Sequence, residues 1–349
     1  MEKKVFVGLS GGVDSAVSAA LLQREGYAVV GAFIKIWQPE FTECTWREDR
    51  LDAMRVCAAL GIPFKEIDLS EEYKTRVIEE MITSYRTGKT PNPDVLCNSS
   101  IKFGSFMRWA HEEGAEYVAT GHYARAANGK LLRGIDEAKD QSYFLHRLES
   151  KDLARILFPV GTYRKSEVRA LAQKFELPVA RKPDSQGLCF AGAITLPEFL
   201  AKYIPLAQGD VLDTDGKKVG THDGAALYTR GQRHGFRMLP DSPHEAPHYV
   251  VSTDVGRNTV TVSAQSTAAE VESVALSDMH WIHEQPDLSR DFSAQARYRE
   301  TPFSARILVE NSSHTATFAH PHVVSPGQSL VLYDDDVCLG GGEISPTMM

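Results

Sequence analysis

Short apolar runs alternate with longer amphipathic stretches through the first half of the chain. The runs at 5–7, 29–34, 64–69 and 117–120 have the length and apolar content of buried parallel strands. Between these runs, apolar residues recur at helical spacing, in stretches that stop at glycine or proline. This alternation predicts a doubly wound parallel sheet of the α/β class, which binds its ligands at the carboxyl ends of its strands.

The pattern changes after about Tyr203. Short segments rich in β-branched residues, separated by Gly, Asp and Pro, predict strands within 209–220, 249–251 and 259–262. A further series of such segments, over about 274–344, suits a small barrel or sandwich. Because 349 residues are too many for one compact core, we expect two or three domains.

The first predicted strand ends in a Gly-rich turn, and a helical pattern begins directly after it. In the sequence SGGVDS, from Ser10 to Ser15, two adjacent glycines let backbone N–H groups curl around an anion. Both serine hydroxyls add donors, and the helix directs its unsatisfied N–H groups toward the same point. The turn lacks the lysine of the Walker motif GxxxxGK[ST]. It resembles the pyrophosphate-binding loop of the ATP pyrophosphatases, which cleave ATP between its α- and β-phosphates.

Composition narrows the class of protein. A hydrophobic content of 42% with 24% charged residues is typical of a globular chain. We expect no membrane helix, because no apolar run approaches the necessary length, and no signal peptide, because the first four residues lead directly into a strand. Five cysteines without short spacing indicate a reducing, cytoplasmic compartment. The net charge of −8 argues against a protein that coats nucleic acid generally.

Two of the five cysteines stand in settings that suit chemistry. Cys97 follows a loop predicted at 90–94, where two prolines in three residues disfavour a helix, and precedes a helix expected from about Ser99. The positive end of that helix would favour a thiolate. Cys189 lies in a polar loop entered from a basic stretch, and on the residues alone both thiols are open to a functional or a structural role. The other three are Cys57 and Cys338, interpreted as inert packing residues, and Cys44, which stays open.

Two further patterns predict less than they first suggest. From Arg164 to Lys182 the chain carries six basic residues against two acidic ones, which is typical of a solvated helix face. The letters HEAPH at 244–248 match the zinc motif HExxH, but zinc binding needs both histidines on one face of a helix. Pro243 and Pro247 disfavour a helix there, so no metal site is predicted.

Seven motifs occur in one order and nearly span the chain: SGGVDS, PNPDVLCNSSIKFG, ATGHYA, KDQSYFL, DSQGLCF, YTRGQRHGF and CLGGGEI. Together they resemble the bacterial tRNA-specific 2-thiouridylase family. The resemblance implies a PP-loop ATP pyrophosphatase domain over 1–203, a small central domain over 204–267 and a C-terminal β-barrel over 268–349 that contacts tRNA. Departures from the family pattern are confined to connecting segments, such as Ser99-Ser100 and 240–247.

The resemblance also implies an activity, thiolation of the wobble uridine 34 in tRNAs for Lys, Glu and Gln. ATP would transfer AMP to the C2 oxygen of uracil and release pyrophosphate, with Mg²⁺ expected to bridge the phosphates. A persulfide would then supply the sulfur of 2-thiouridine. The wobble base lies in a single-stranded loop, so flipping it into the site costs little.

By the same resemblance, Cys189 carries the persulfide, Cys97 is the nucleophile that completes the transfer, and Asp94 shuttles protons. A sulfur-relay protein or a cysteine desulfurase would load Cys189. If the two thiols meet when tRNA is bound, they would form a disulfide under oxidising conditions. The implied ATP contacts are Gly8, Leu9, Ser10, Gly11, Gly12, Val13, Asp14, Ser15, Ile34 and Gly121. The implied tRNA contacts are Asn92, Pro93, Asp94, His122, Lys139, Asp140, Gln141, Arg297, Tyr298 and Gln328, with the 164–182 stretch as a local basic surface.

Two other functions stay open. An ATP-pyrophosphatase ligase or amidotransferase that acts on a small molecule would need neither Cys97 nor Cys189, and it would not explain a terminal barrel. A redox or iron–sulfur protein would use the same two thiols. Two thiols are too few for an all-cysteine cluster, although Asp94 or Cys44 would add a ligand.

Overall fold

The computed structural model describes residues 2–42, 46–184, 190, 194–240 and 247–346. Within these ranges the strands form three sheets. In chain order they are β1 (Lys4–Gly8), β2 (Ala28–Lys35), β3 (Phe64–Asp68), β4 (Tyr117–Ala119), β5 (Ala124–Ala127), β6 (Lys130–Arg133), β7 (Ile156–Leu157), β8 (Gly209–Leu212), β9 (Lys218–His222), β10 (Arg237–Met238), β11 (Tyr249–Asp254), β12 (Thr259–Ser263), β13 (Val271–Trp281), β14 (Phe292–Gln295), β15 (Phe303–Glu310), β16 (Ser313–His322), β17 (Ser329–Asp334) and β18 (Val337–Ile344).

Most of the helical structure belongs to the first half of the chain. The α-helices are α1 (Val13–Arg24), α2 (Trp46–Leu60), α3 (Ser70–Tyr73), α4 (Glu80–Arg86), α5 (Pro93–Leu96), α6 (Met107–Glu112), α7 (Ser150–Leu153), α8 (Lys165–Lys174) and α9 (Leu196–Leu200). π-Helical turns at Lys74–Glu79 and Cys97–Phe106 join α3 to α4 and α5 to α6, so 70–86 and 93–112 are each one helical segment. None of the described helices has the length and apolar character needed to cross a bilayer.

A five-stranded parallel sheet, with the order β3-β2-β1-β4-β7, forms the centre of the first part. Along β1, side chains alternate between the faces: Phe6 joins one apolar cluster, whereas Val5 and Val7 join another. All three are fully buried because helices cover both faces. The segments 70–86 and 93–112 contribute to the Phe6 cluster, and α1, α2 and α8 contribute to the other. The predicted doubly wound α/β fold is confirmed.

The helix that carries Cys97 begins earlier than the prolines suggested. Pro93 is the first residue of α5, and the Oδ1 of Asn92 accepts a hydrogen bond from the N–H of Asp94 at 3.2 Å. The prediction of a loop through Asp94 and of a helix from about Ser99 is therefore wrong. Proline is well tolerated at the first helical position, because the N–H it lacks has no partner within the helix there.

The C-terminal strands close into a barrel. Their order is β13-β16-β15-β14-β17-β18, and β18 pairs back onto β13, so the prediction of a C-terminal β-barrel is confirmed. Its interior holds apolar side chains from several strands, among them Val274, Ile307 and Leu332. Between the two parts lies a smaller sheet with the order β10-β9-β8-β12-β11.

One hairpin of the first part extends the sheet of the barrel. β5 and β6 pair with each other, and β6 pairs with β18 through Leu131 with Cys338 and Leu132 with Val337. This contact fixes one end of the barrel against the parallel sheet. The limits of the three predicted domains stay a prediction.

Candidate active site

The turn between β1 and α1 has the geometry of an anion cradle. Ser10 Oγ accepts a hydrogen bond from the N–H of Gly12 at 3.3 Å, and Ser15 Oγ accepts one from the N–H of Ser10 at 3.2 Å. Gly12 is the N-cap of α1, so the unsatisfied N–H groups and the positive dipole end of this helix face the turn. Such a site favours a phosphate group.

Two glycines allow this turn to lie against neighbouring backbone. Gly11 has a φ of +73°, and a Cβ there would lie 2.5 Å from the carbonyl oxygen of Asp49. A Cβ on Gly121, in the loop after β4, would lie 2.6 Å from the backbone nitrogen of Ser15. No side chain fits at either position, and the close approach brings the ends of β1 and β4 together.

The other residues implied as ATP contacts lie at the same edge of the sheet. Ile34 is near the end of β2, and its Cδ1 lies 3.8 Å from where a Cβ on Gly8 would stand. Phe106, on the segment 93–112, lies 3.6 Å from the same point. Leu9 and Val13 are buried on either side of the turn. The helix of Cys97 therefore packs directly on the strand that leads into the cradle.

A cluster of ion pairs lies beside the cradle. Asp14, in the first turn of α1, accepts hydrogen bonds from the hydroxyl of Tyr123 at 2.8 Å and from Lys165 Nζ at 2.7 and 2.8 Å. Lys165 Nζ also lies 2.8 Å from Asp184 Oδ1, and Lys139 Nζ lies 3.0 Å from Asp184 Oδ2. Burial alone would raise the pKa of Asp184, but the hydrogen bonds from Lys165 and Lys139 outweigh it and hold that pKa well below its usual range. Asp184 is therefore charged at neutral pH.

Three of the six basic side chains in the stretch 164–182 form ion pairs with carboxylates near the cradle. Lys182 Nζ lies 2.8 Å from Asp49 Oδ1, and the backbone of Asp49 borders Gly11. The interpretation of the whole stretch as a solvated helix face is therefore wrong, because these cations neutralise carboxylates around the cradle. The three are Lys165 and Arg169, both paired with Asp184, and Lys182, paired with Asp49 and Asp52.

The segment 93–112 carries both Asp94 and Cys97. Asp94 is accessible to solvent, yet the protein around it raises the pKa of the carboxyl, and Lys102 offsets only part of this effect. The carboxyl takes up and releases a proton at a higher pH than an ordinary aspartate, which suits a proton shuttle.

Cys97 is buried at the start of the π-helical turns, a feature frequent at functional sites. It belongs to an apolar cluster with Tyr73 and Phe190, whose ring centroids lie 6.2 Å apart. Phe190 follows Cys189 in the sequence, but Cys189 lies outside the described residues, as does Cys44. The persulfide role and the disulfide with Cys97 stay predictions.

Cys57 and Cys338 are buried, and burial raises the pKa of their thiols to about 11 and about 12. Both thiols therefore stay protonated at neutral pH, in agreement with their interpretation as packing residues. Within the part of the chain that the structure describes, no group of three or more His, Cys, Asp or Glu side chains is arranged to hold a metal ion. Residues 244–246 of the HEAPH motif lie outside that part.

The implied tRNA contacts at Lys139, Asp140 and Gln141 turn toward the protein. Gln141 Oε1 accepts a hydrogen bond from the N–H of Tyr123 at 3.0 Å, while Lys139 pairs with Asp184 as described. Asp140 is buried and its carboxylate is fully engaged. The donors to it are the N–H groups of Gly134 and Ser142 at 2.9 and 3.1 Å, the hydroxyl of Ser142 at 2.9 Å and Arg133 Nη1 at 3.1 Å.

His122 follows Gly121 and is buried between aromatic rings. Its Nδ1 lies 2.7 Å from Thr120 Oγ1, and the ring centroids of Phe103 and Phe158 lie 6.0 and 6.1 Å away. Burial, with a smaller contribution from Lys102, lowers the pKa of His122 well below its ordinary value. The imidazole is therefore neutral at physiological pH.

Barrel residues contact the first part of the chain at two places. Gln328 Nε2 donates a hydrogen bond to the carbonyl of Thr90 at 2.7 Å, just ahead of the helix of Cys97. The ring of Tyr298 lies 4.5 Å from that of Phe144, and Arg297 is exposed beside it. Of the residues implied as barrel contacts for tRNA, Gln328 therefore lies beside the loop that leads to Asn92 and Asp94.

Sequence reasoning missed two neighbours of the phosphate cradle. Tyr123 and Lys165 bond to Asp14 from 109 and 151 residues away. Tyr123 lies in the ATGHYA motif, but nothing in the motif points its hydroxyl at Asp14. The sequence gives one indirect indication of Lys165. The turn has no lysine of its own, which suggests that a cation from another part of the chain lies beside it.

A Gly- and Ser-rich anion cradle at the carboxyl edge of a doubly wound parallel sheet defines an α/β protein of the PP-loop nucleotide-binding class. Family models match three consecutive parts of the chain. They are the tRNA methyl transferase HUP domain over 3–193, the tRNA methyl transferase PRC-barrel domain over 197–264 and the aminomethyltransferase beta-barrel domain over 271–344.

Two full-length relatives are more specific. The tRNA-specific 2-thiouridylase MnmA of Francisella tularensis subsp. tularensis (strain WY96-3418) is 42% identical over 357 residues, with 98% of this chain and 99% of the relative covered. That of Pseudomonas putida (strain W619) is 44% identical over 354 residues, with 98% and 94% covered. The chain belongs to the tRNA-specific 2-thiouridylase family.

A solved structure of the U34-tRNA thiolase NcsA from Methanococcus maripaludis, with its [4Fe-4S] cluster, is 22% identical. It matches with a TM-score of 0.37, over 54% of this chain and 61% of that one.

Proposed function

We propose that the protein is a tRNA-uridine 2-sulfurtransferase, which uses ATP to convert the wobble uridine of tRNAs for Lys, Glu and Gln into 2-thiouridine. The observation that carries the proposal is the packing of the Asp94 and Cys97 helix, through Phe106, on the strand that leads into the anion cradle. A phosphate site and a thiol on adjoining elements suit activation by ATP followed by attack of sulfur. The similarity to 2-thiouridylases along the whole chain supports the same reaction.

The first step activates the C2 oxygen of uracil, which is otherwise a poor leaving group. This oxygen attacks the α-phosphorus of ATP, the bond to the β-phosphate oxygen breaks, and pyrophosphate leaves with the bonding electrons. The N–H groups between Ser10 and Ser15, together with the first turn of α1, would hold the charge that develops on pyrophosphate.

The second step delivers sulfur. The terminal sulfur of a persulfide on Cys189 adds to C2, and Asp94 takes up its proton. Cys97 then attacks the Cys189 sulfur, the S–S bond of the persulfide breaks, and AMP leaves from C2, taking up the proton of the Cys97 thiol. The products are 2-thiouridine and a Cys97–Cys189 disulfide, which an external thiol reductant returns to two thiols.

Mg²⁺ is expected to accompany ATP. The carboxylate of Asp14 stands in the first turn of α1 beside the cradle, but Lys165 and Tyr123 already bond to it, so the ligands would come chiefly from the phosphate oxygens of ATP. When bound, the ion would neutralise phosphate charge. The proposal further includes a cytoplasmic location, a sulfur-relay protein or cysteine desulfurase as donor, and domain limits at 1–203, 204–267 and 268–349.

The test is incubation of the protein with ATP, Mg²⁺, unmodified tRNA for Lys and a persulfide donor. Nucleotide chromatography should give AMP and pyrophosphate, and mass spectrometry of the digested tRNA should give 2-thiouridine. Release of ADP instead of AMP, or unchanged uridine in tRNA, would contradict the proposal.

Single-cysteine variants separate the two thiols. Cys189→Ser should accept no sulfur from a labelled donor, whereas Cys97→Ser should accept label at Cys189 yet make no 2-thiouridine. Cys57→Ala is the matched control, because this buried thiol lies in a different helix, α2, and should be dispensable. Full thiolation by Cys97→Ser would show that the assignment is wrong.

A further inference from the structure

The anion cradle lacks the lysine that a Walker loop carries, but a lysine from another part of the chain lies beside it, bonded to Asp14. Lys165 is the first residue of α8, and its side chain is only 15% exposed. Its Nζ lies 2.7 and 2.8 Å from the two carboxylate oxygens of Asp14. Since Asp14 is the second residue of α1, the ammonium group stands at the first turn of the helix that begins at the cradle.

The position of Lys165 is fixed from several directions. Its backbone N–H donates a hydrogen bond to Asp136 Oδ2 at 2.8 Å, and its ammonium group lies 5.7 Å from the ring centroid of Tyr123. Burial, followed by the charge of Asp14, raises the pKa of Tyr123, so its phenol stays protonated and donates to the same carboxylate. A buried ammonium group held in this way has little freedom to turn toward solvent.

Asp184 is a second carboxylate bonded to this ammonium group, and three cations in all bond to Asp184. It accepts from Lys165, Lys139 and Arg169. Within these ion pairs three cations meet two carboxylates, Asp184 and Asp14, so one positive charge remains in excess beside the cradle. A ligand with several negative charges would find that excess at the cradle itself.

We propose that Lys165 is a phosphate-binding residue of the ATP site, and that Asp184 is the counter-ion that occupies it before nucleotide binds. This inference rests on the proposed use of ATP and adds a residue to that site. Lys165 would take the part of the Walker lysine, donating to the phosphates that leave as pyrophosphate. The lysine transfers no proton, because it offers its charge and N–H donors to the departing oxygens.

The competing explanation is that Lys165 only joins α8 to α1 through Asp14. Four proteins distinguish the two: the wild type, Lys165→Met, Lys165→Arg and Lys217→Met. Lys217 is the matched control because it is exposed in the turn between β8 and β9, away from the sheet edge. ATP affinity is measured by calorimetry with Mg²⁺, and AMP formation with tRNA present gives kcat and KM.

Lys165→Met should weaken ATP binding by about tenfold or more, as expected for loss of a charge-assisted hydrogen bond. Its kcat for AMP formation should fall about 100-fold, the usual effect of removing one donor from a developing charge. Lys165→Arg should recover most of the ATP affinity, and Lys217→Met should match the wild type. ATP affinity of Lys165→Met within twofold of the wild type would overturn the inference.

Asp184→Asn covers the case in which Lys165→Met does not fold. This change removes one of the two carboxylates that hold Lys165, so ATP should bind severalfold more tightly; unchanged or weaker binding would contradict the inference. A wild type that binds ATP but never forms AMP would instead contradict the proposed function, while the comparison of ATP affinities would still decide the role of Lys165.

Discussion

Replacement of Asp140 by alanine should destabilise the joint between the parallel sheet and the barrel. Arg133 links the two parts: its Nη1 donates to Asp140 at 3.1 Å and to Gln295 of β14 at 2.9 Å. Its guanidinium carbon also lies 3.5 Å from the ring centroid of Tyr333 in β17. The hydroxyl of Ser142 lies 3.2 Å from that of Tyr333 and completes the link.

The size of the effect follows from the donors that lose their acceptor. Asp140→Ala would leave a buried guanidinium group and the N–H groups of Gly134 and Ser142 without this carboxylate. Breaking a buried ion pair from one side costs about 3–5 kcal/mol of unfolding free energy. We therefore expect a loss of about 4 kcal/mol. For Asp140→Asn we expect about half of this, because its remaining oxygen still accepts from the two N–H groups.

Urea unfolding, followed by tryptophan fluorescence and circular dichroism together, measures this loss, and the two curves must coincide for a two-state value. Asp334→Ala is the control, since it breaks an exposed ion pair with Arg290 and should cost less than about 1 kcal/mol. Equal losses for Asp140→Ala and Asp334→Ala would refute the reasoning. So would an Asp140→Asn protein of unchanged stability with weakened tRNA binding, which would make Asp140 a direct RNA contact.

Two further predictions concern the active site. Because desolvation by the surrounding protein raises the pKa of Asp94, with Lys102 offsetting only part of this effect, the folded protein keeps this proton to higher pH than the unfolded chain. The free energy of unfolding should therefore fall as pH rises above the ordinary aspartate value of about 3.9, and Asp94→Asn should flatten that slope in urea titrations; an unchanged slope would exclude this origin. Gly121→Ala should cost about 1–3 kcal/mol and weaken ATP binding, because its Cβ would meet the backbone nitrogen of Ser15 at 2.6 Å. Calorimetry and urea unfolding check this, against Gly256→Ala as a control in an open turn of the central sheet.

Local patterns predicted the parts of the fold that depend on neighbours in sequence. Val5, Phe6 and Val7 place apolar side chains on both faces of a strand, which is the pattern expected when both faces are covered. The structure contains this buried strand. β7 escaped prediction because two residues, Ile156 and Leu157, carry no period. The start of the Cys97 helix was misjudged because Pro93 was treated as a helix breaker at the one place where proline suits a helix.

In the candidate site too, the features that depend on consecutive residues were predictable and those that depend on tertiary contacts were not. The Ser10–Ser15 turn was predictable because its donors come from consecutive residues. The ion pair of Lys165 with Asp14 was not, because it depends on how α8 docks against α1. Local composition gave only a basic stretch, and the same six cations would look identical whether they faced solvent or carboxylates.

The pairing of β6 with β18 cannot form until most of the chain has been synthesised. Leu132 leaves the ribosome about 200 residues before its partner Val337. At about 5–20 residues per second, the hairpin waits about 10–40 s for the strand that completes it. Throughout this interval the edge of β6 is unpaired, and Leu131, fully buried in the finished protein, faces water. The first part of the nascent chain is thus the aggregation-prone species, and its exposure ends only when translation reaches the last strand.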